Sequence, residues 1–181
     1  MSFSKPLAAL AAALVVLLVA APSASAAGAC SAAHASPAGK ASKRALVRAT
    51  LCVLNAHRAR NDLRPLRLNR RLSRAARRHS RAMARRNFFS HDSLSGASFV
   101  DRIRRTGYLT GARSWSVGEN IAYGTGGRST PASISRAWMN SPGHRANILS
   151  RSFNRIGIGI ARGTPGGGGG GTYTTDFGRR S

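Results

Sequence analysis

The sequence predicts an α+β fold in which helices cover an antiparallel sheet. Apolar residues recur at helical spacing from residue 42 to about residue 138, and a strand-like alternation follows in residues 156–177. This order lacks the regular alternation of strands and helices that builds a parallel sheet. The chain has 181 residues, of which 42% are hydrophobic, and that is enough to bury one core. We therefore expect a single α+β sandwich domain.

The first 26 residues have the composition of a secretory signal peptide. Lys5 supplies a positive start, residues 7–21 form an apolar run, and residues 24–26 are the small residues that precede a cleavage site. The run is shorter than the roughly 20 residues that a membrane span needs, so an uncleaved anchor is the weaker alternative. We therefore expect a secreted, extracellular protein.

The predicted organisation is a signal peptide at 1–26, an Ala/Ser-rich tail at 27–41 and a folded domain at 42–181. The two cysteines of the chain are Cys30 and Cys52. An oxidising exterior favours a disulfide between them, which would attach the tail to the first helix. The alternative is a buried Cys52 and a free Cys30.

The first predicted helix begins near Ser42 and ends before Pro65, which cannot continue a helix. Its apolar stripe is expected to face the core, and the basic residues between, Arg58 included, to face away. The stripe consists of Leu46, Val47, Leu51, Val53, Leu54 and His57.

Three more helices are predicted from their caps. Asn69 caps a helix with apolar residues at spacings of three and four and a second face that is nearly all arginine. A short helix covers residues 98–105. Thr130, followed by Pro131 at the first helical position, starts a helix that runs through Trp138.

The C-terminal part is predicted to form a β-hairpin. Residues 141–143 turn the chain and residues 145–149 form one helical turn. Isoleucines alternate with glycines in residues 156–160, which indicates a strand with one apolar face. The glycine tract at 166–171 is a loop, and residues 172–177 resume an extended pattern.

Glu119 is the only glutamate of the chain and stands between apolar residues. A buried carboxylate needs hydrogen-bond donors or a cation, so this position is informative. His91 and His144 both lie at the ends of predicted elements, where functional residues are common. Among the weaker candidates, His57 and His79 are expected to be core histidines, and Asp176 a hydrogen-bonding group at a strand end.

Five sequence blocks occur in one order along most of the chain. They are Asn-Ala-His-Arg at 55–58, Phe-Ser-His-Asp at 89–92, Gly-Glu-Asn-Ile-Ala at 118–122, Ala-Trp-Met-Asn-Ser-Pro-Gly-His-Arg-Ala-Asn-Ile-Leu at 137–149 and Ile-Gly-Ile-Gly at 156–159. In this the chain resembles bacterial members of the CAP superfamily of cysteine-rich secretory proteins, antigen 5 and pathogenesis-related proteins, also called SCP-like extracellular proteins.

The resemblance implies an α-β-α sandwich of the CAP type with a central cleft that holds two histidines and acidic residues, and that binds a divalent metal in some members. By motif position the cleft residues are His91, Glu119 and His144, with Ser90, Asn120 and Ser141 beside them. Ser141 stands where many eukaryotic members of the family have a second acidic residue, and serine is a poor zinc ligand.

Two interpretations of this cleft stay open. His91, Glu119 and His144 could hold Zn²⁺ or another divalent cation and leave one position to water. Alternatively, Glu119 accepts hydrogen bonds from the histidines and from backbone N–H groups, and no metal is bound. Serine hydrolysis by Ser90 or Ser141 is disfavoured, because no nucleophile-elbow sequence surrounds either residue.

The net charge of +24 predicts an affinity for polyanions. Twenty-six of the 29 basic residues are arginine, which pairs with phosphate through two hydrogen bonds. Outside a cell the partners would be anionic envelope polymers or lipids, and no specific nucleic-acid motif is present. The alternative is that the arginines reflect composition alone and are merely solvated.

We therefore expect a secreted, monomeric binding protein with a histidine and glutamate cleft and a basic surface. The first alternative is a metal-dependent hydrolase of peptide or cell-wall material, in which Glu119 is general base or ligand. The second is an extracellular lipid or sterol binder, which rests on the family resemblance alone.

Overall fold

The computed structural model describes Met1 and residues 30–181, so the predicted signal peptide beyond Met1 and the first residues of the tail lie outside the described residues. The helices and strands follow one another along the chain and are numbered here in that order. They are α1 Lys43–Ala59, β1 Arg67–Leu68, α2 Arg70–Arg86, α3 Phe99–Arg104, β2 Trp115–Thr125, α4 Pro131–Met139, α5 Pro142–Leu149, β3 Arg155–Arg162 and β4 Gly170–Arg180.

The predicted starts of the first four helices are confirmed, because each is determined by a local cap. The side chain of Ser42 accepts a hydrogen bond from the Ala45 N–H, and that of Asn69 accepts bonds from Arg71 and Leu72. Ser98 and Asp101 form a reciprocal capping box at α3. The last helix, α5, begins at Pro142, three residues earlier than expected, because proline is favoured at the first helical position.

The four strands form one sheet in the order β1-β3-β4-β2. The predicted hairpin of β3 and β4 is antiparallel, as is the long pairing of β2 with β4. The short β1 runs parallel to β3, so the sheet is antiparallel except at this edge. With helices covering the sheet, the α+β sandwich is the architecture predicted from the sequence.

Helix α2 lies directly on the backbone of β3. A Cβ atom added to Gly157 would stand 2.1 Å from the carbonyl carbon of Leu72, and one added to Gly159 would stand 2.2 Å from that of Ala76. No side chain fits there, so the glycines of β3 allow the helix and the strand to pack in contact. Both faces of β3 are consequently buried, whereas the sequence predicted only one apolar face.

Arg58 corrects the prediction that the arginines of the first helix face away from the core. Its side chain is buried, and its guanidinium donates to the carbonyl oxygens of Arg64, Ile148, Ser150 and Phe153 at 2.8–3.4 Å. A buried guanidinium is tolerated when its N–H groups find acceptors. Arg58 therefore joins α1 to the end of α5 and to the segment that leads into β3.

The tail beyond residue 29 packs against the domain. Cys30 and Cys52 form the predicted disulfide, with Cα atoms 5.5 Å apart. The carbonyl of Ala33 accepts a hydrogen bond from the Ala132 N–H at 2.9 Å, and Pro37 lies against Gly171. Residues 30–41 are thus a strap across the end of the sheet. Within residues 30–181, no helix has the length and apolar character of a membrane span.

Candidate functional site

Glu119 is the centre of the site. It lies in the middle of β2 with a side chain that is 1% exposed. One carboxylate oxygen, Oε1, is 2.8 Å from His91 Nδ1, and the other, Oε2, accepts a hydrogen bond from Arg102 Nη2 at 2.6 Å. Burial raises the pKa of the Glu119 carboxyl, but the hydrogen bond from His91 and the charge of Arg102 outweigh it, so the net shift is downward. Glu119 is therefore an anion.

Arg102 is the cation that this buried anion requires, and the sequence analysis missed it. Its Nη1 donates to the carbonyls of His91 at 2.7 Å and Ala97 at 3.2 Å, so the same side chain also holds the loop that carries His91. The sequence contained one usable signal, namely that a lone buried glutamate needs a positive partner. It did not indicate which of the 26 arginines would supply it.

The contact with Glu119 orients His91. A carboxylate only accepts hydrogen bonds, so His91 Nδ1 carries the proton and Nε2 is the nitrogen with a free lone pair. The side chain of His91 is 50% exposed, which leaves Nε2 accessible from solvent. A histidine whose other nitrogen donates to a carboxylate has the arrangement found in metal and ligand sites of proteins.

His144 lies on the other side of the cleft, in the first turn of α5. Its Nδ1 is 2.9 Å from the hydroxyl of Ser141, and its carbonyl accepts a hydrogen bond from Asn120 Nδ2 at 3.0 Å. Burial and the nearby charge of His91 both lower the pKa of the His144 ring. His144 is therefore neutral at physiological pH.

Asn147 fixes α5 against β2. Its amide Nδ2 donates to the Glu119 carbonyl at 3.2 Å and to Asn120 Oδ1 at 2.9 Å. A Cβ atom at Gly118 would stand 2.8 Å from Asn147 Oδ1, so a larger residue there would displace the Asn147 side chain. The Gly-Glu-Asn block is thereby explained, since each of its residues has a separate contact that positions the cleft.

Asp176 is a second acid of the site and not the strand-end group expected from the sequence. The register of β2 and β4 sets it directly opposite Glu119, and directly opposed residues point to the same face. It is buried, and neither carboxyl oxygen has a hydrogen-bond donor within residues 30–181. Burial and the negative charge of Glu119 raise the pKa of Asp176 well above its usual value, so Asp176 holds a proton.

His79 holds the loop that carries His91 through a hydrogen bond to its backbone. As predicted for a core histidine it is buried and hydrogen-bonded, with Nε2 2.8 Å from the carbonyl of Ser90. Burial and the charge of Arg102 lower the pKa of His79, so the ring is neutral. Ser90 thus takes part through its carbonyl, and its hydroxyl accepts a hydrogen bond from the Asp92 N–H at 3.1 Å.

An exposed aromatic pair flanks the loop of His91. The rings of Phe89 and Tyr123 meet edge to face with centroids 4.9 Å apart, and both side chains are nearly half exposed. Tyr123 follows Glu119 at an even spacing along β2 and so points to the same face of the sheet. The cleft region therefore has an apolar wall as well as the polar centre.

The contacts of Glu119 determine which atoms of the cleft could bind zinc. Both oxygens of Glu119 are engaged by N–H donors, one of them a guanidinium, and the described part of the chain has no group of three His, Cys, Asp or Glu side chains arranged to hold a metal ion. The nitrogens left for a ligand are Nε2 of His91 and Nε2 of His144. The arrangement fits two imidazole ligands with Glu119 as the partner that orients one of them. Zinc binding stays a prediction.

Comparison with known proteins identifies the family. Residues 51–177 match the model of the cysteine-rich secretory protein family, CAP. The chain belongs to the CAP family. The matched range contains every residue of the cleft, from His79 through Asp176. The predicted fold and the family resemblance are therefore confirmed.

Two Bacillus subtilis proteins are similar to this CAP domain. The uncharacterized protein YkwD is 41% identical over 107 residues, which is 58% of this chain and 38% of YkwD. The uncharacterized membrane protein YlbC is 32% identical over 112 residues, which is 62% of this chain and 30% of YlbC. The chain thus spans only about a third of the length of each of these relatives.

Solved structures include similar domains. An extracellular protein containing a SCP domain from Bacillus anthracis superposes with a TM-score of 0.60 at 27% identity, over 77% of this chain and 44% of that one. An outer surface protein from Borrelia burgdorferi superposes with a TM-score of 0.63 at 19% identity, over 79% of this chain and 98% of that one. The second likeness concerns the fold alone.

Proposed function

We propose that this CAP domain is a secreted binding protein. Its cleft takes a ligand at His91 and His144, and its basic surface keeps it near an anionic cell envelope. The observation that carries the proposal is the state of Glu119, whose two oxygens are both committed to positioning the site. Export is supported by the composition of residues 1–26 and by the similar extracellular protein of B. anthracis. We expect the protein to be a monomer.

Catalysis by Glu119 is the less supported alternative. A general base works best with a pKa near the working pH, whereas burial beside His91 and Arg102 leaves the pKa of Glu119 below its usual value. Ser141 does contact His144, as a serine nucleophile would. However, the far nitrogen of His144 has no orienting partner within residues 30–181. A hydrolase would therefore need groups that this cleft lacks among its described contacts.

Each residue of the cleft has a different role in binding. Glu119 holds the proton of His91 on Nδ1 and so turns the Nε2 lone pair outward, and Ser141 restrains the ring of His144. The two imidazoles would be the ligands of a divalent cation such as Zn²⁺, which when bound would act as a Lewis acid. The exposed pair of Phe89 and Tyr123 would pack against the apolar part of an organic ligand.

Zinc titration of the protein tests the cleft. We expect micromolar or weaker binding by the wild type, none by His91→Ala or His144→Ala, and a loss of about 10- to 100-fold in Glu119→Gln, because the orienting partner is weakened. His34→Ala is the matched control, since His34 is exposed in the tail and outside the cleft. Equal heats from the wild type and both cleft variants would exclude the metal. A loss of binding in Glu119→Gln as complete as that in the histidine variants would make Glu119 a direct ligand.

The polyanion part of the proposal has its own test. Retention on heparin or on anionic vesicles should fall steeply as the salt concentration rises, because counterions compete with the arginines. Retention that does not change with salt would contradict an electrostatic cause. A neutral sterol or lipid that binds with unchanged affinity in high salt would instead favour the extracellular lipid binder.

A further inference from the structure

A cavity of about 550 Å³ lies at the β1 edge of the sheet, beside the N-terminus of α2. It is distinct from the cleft, since none of the cleft residues lines it. Four arginines form much of its wall, together with Tyr108, and no acidic side chain is among its lining residues. The arginines are Arg70, Arg71, Arg155 and Arg180. We refer to this cavity as the arginine pocket.

Two of the four guanidinium groups are held in place by backbone carbonyls. Arg71 Nη1 donates to the carbonyl of Gly107 at 2.8 Å. Arg180 Nη1 donates to the carbonyls of Tyr108 at 2.7 Å and Thr110 at 3.1 Å. Each guanidinium has five N–H donors, so most of them remain for a ligand. Side chains that are already ordered lose less conformational entropy when a ligand binds.

The other two guanidinium groups have no partner within residues 30–181. Arg155 is placed by strand pairing, because β3 sets it opposite Arg67 on one side and Gly178 on the other. Arg70 is the first residue of α2. The ion pairs of the described residues involve only Glu119 and Asp101 as acids, so the four charges of the pocket have no protein counter-ion there. Like charges around one cavity favour the binding of an anion.

A second basic groove lies at the other end of α2 and serves as a comparison, because few of its basic side chains are held by hydrogen bonds. It measures about 150 Å³ and is lined by five basic residues, Lys43, Arg77, Arg81, Arg85 and Arg162. Of these, only Arg162 donates to a carbonyl among the described residues, that of Gly39 at 3.3 Å. This second groove is as basic as the arginine pocket but smaller and less ordered, and it therefore provides a control within the same helix.

We propose that the arginine pocket binds two linked phosphate groups, as in a diphosphate or two adjacent phosphodiesters. Guanidinium groups match phosphate oxygens with paired hydrogen bonds, and four of them exceed the charge of a single carboxylate or phosphate. The volume lies in the range of small-ligand sites. The positive end of α2 adds to the attraction. The site localises the proposed affinity for polyanions and rests on it, but it is independent of the cleft.

The test compares two double variants of the full chain that each lose two charges from α2 or its surroundings. Arg70→Gln with Arg155→Gln alters the arginine pocket, and Arg81→Gln with Arg85→Gln alters the second groove. All four side chains lack hydrogen bonds within residues 30–181, so both variants should fold, which circular dichroism and thermal melting verify. Calorimetry with inorganic diphosphate at physiological salt should show a loss of at least about tenfold in the first variant and less than about twofold in the second.

The outcomes separate the site from the general charge. An equal loss in both variants would overturn the site and leave an unlocalised polyanion affinity. A wild type that is retained on heparin but does not bind diphosphate would also overturn the site, whereas failure on both would overturn the polyanion proposal itself.

Vesicles with and without phosphatidylglycerol then distinguish the two sources of phosphate. Selective loss of vesicle retention in the pocket variant assigns lipid headgroups. Vesicle retention that falls equally in both variants, with diphosphate binding still selective, assigns a soluble phosphopolymer.

Discussion

The proton on Asp176 makes the stability of this domain depend on pH in a defined direction. Asp176 is buried opposite Glu119, and its pKa is raised by burial and by the negative charge of that neighbour. The folded state therefore binds a proton that the unfolded chain releases near pH ~3.9. Above that value, stability falls by about 1.4 kcal/mol per pH unit for this one proton, until the pH passes the folded pKa.

Replacing Asp176 with asparagine should remove this loss. Asparagine has nearly the same shape and is uncharged at every pH, so it neither takes up nor releases a proton in the folded state. The difference in the free energy of unfolding between Asp176→Asn and the wild type should therefore grow in favour of the variant from pH 5 to pH 6, with an upper limit of about 1.4 kcal/mol for one proton. Histidine titration affects both proteins alike and cancels in the difference. Urea unfolding at the two pH values provides the measurement.

Asp62→Asn is the control for the loss of one negative charge. Asp62 is exposed and has a φ of 53°, a conformation that asparagine tolerates well. We expect its difference from the wild type to stay nearly constant between pH 5 and pH 6. A constant difference for Asp176→Asn as well would refute the reasoning, because it would mean that Asp176 is ionised in the folded state across this range.

Three further perturbations test other parts of the structure. Arg102→Leu should lower the free energy of unfolding by about 3–5 kcal/mol, because it leaves the Glu119 carboxylate buried without its cation. Arg105→Leu, on the exposed side of the same segment, should lower it far less. Urea unfolding at pH 7 measures both. Arg58→Met should cost about 2–4 kcal/mol in the same assay, because four carbonyls lose a donor and two of these hydrogen bonds are buried. A change below about 0.5 kcal/mol would contradict that role. Cys52→Ala should lower the free energy of unfolding by about 3 kcal/mol, and reduction of the wild type should reproduce the loss.

The features that the sequence predicted best are those determined by neighbouring residues. Ser42, Asn69 and Thr130 cap their helices through contacts two or three residues away, and the glycines among the isoleucines of β3 predicted an extended segment. Strand β2 was not predicted, because its buried polar pair, Glu119 and Asn120, interrupts the usual alternation. The partners of that pair come from the loop of His91, from α3 and from α5, which are distant in sequence.

The misjudged residues of the site have the same explanation. Arg58 and Arg102 are two arginines among 26 and differ from the others only in the acceptors that the fold brings to them. Asp176 becomes a member of the site through strand register alone. His91, Glu119 and His144 were predicted as site residues because Glu119 is the only glutamate, the two histidines stand at element ends and the family resemblance marks all three. The division of roles among them depends on distances that a sequence does not contain.

The two glycines of β3 that lie against α2 also determine which substitutions the arginine-rich face of α2 tolerates. Because α2 packs directly against the backbone of Gly157 and Gly159, its position is set by this contact and not by the length or charge of its solvent-facing residues. Apart from Arg71, the arginines of α2 donate no side-chain hydrogen bond within residues 30–181, so their replacement would leave the helix in place. The contact between α2 and β3, which sets Arg70 and Arg71 beside Arg155, would be unchanged by such substitutions.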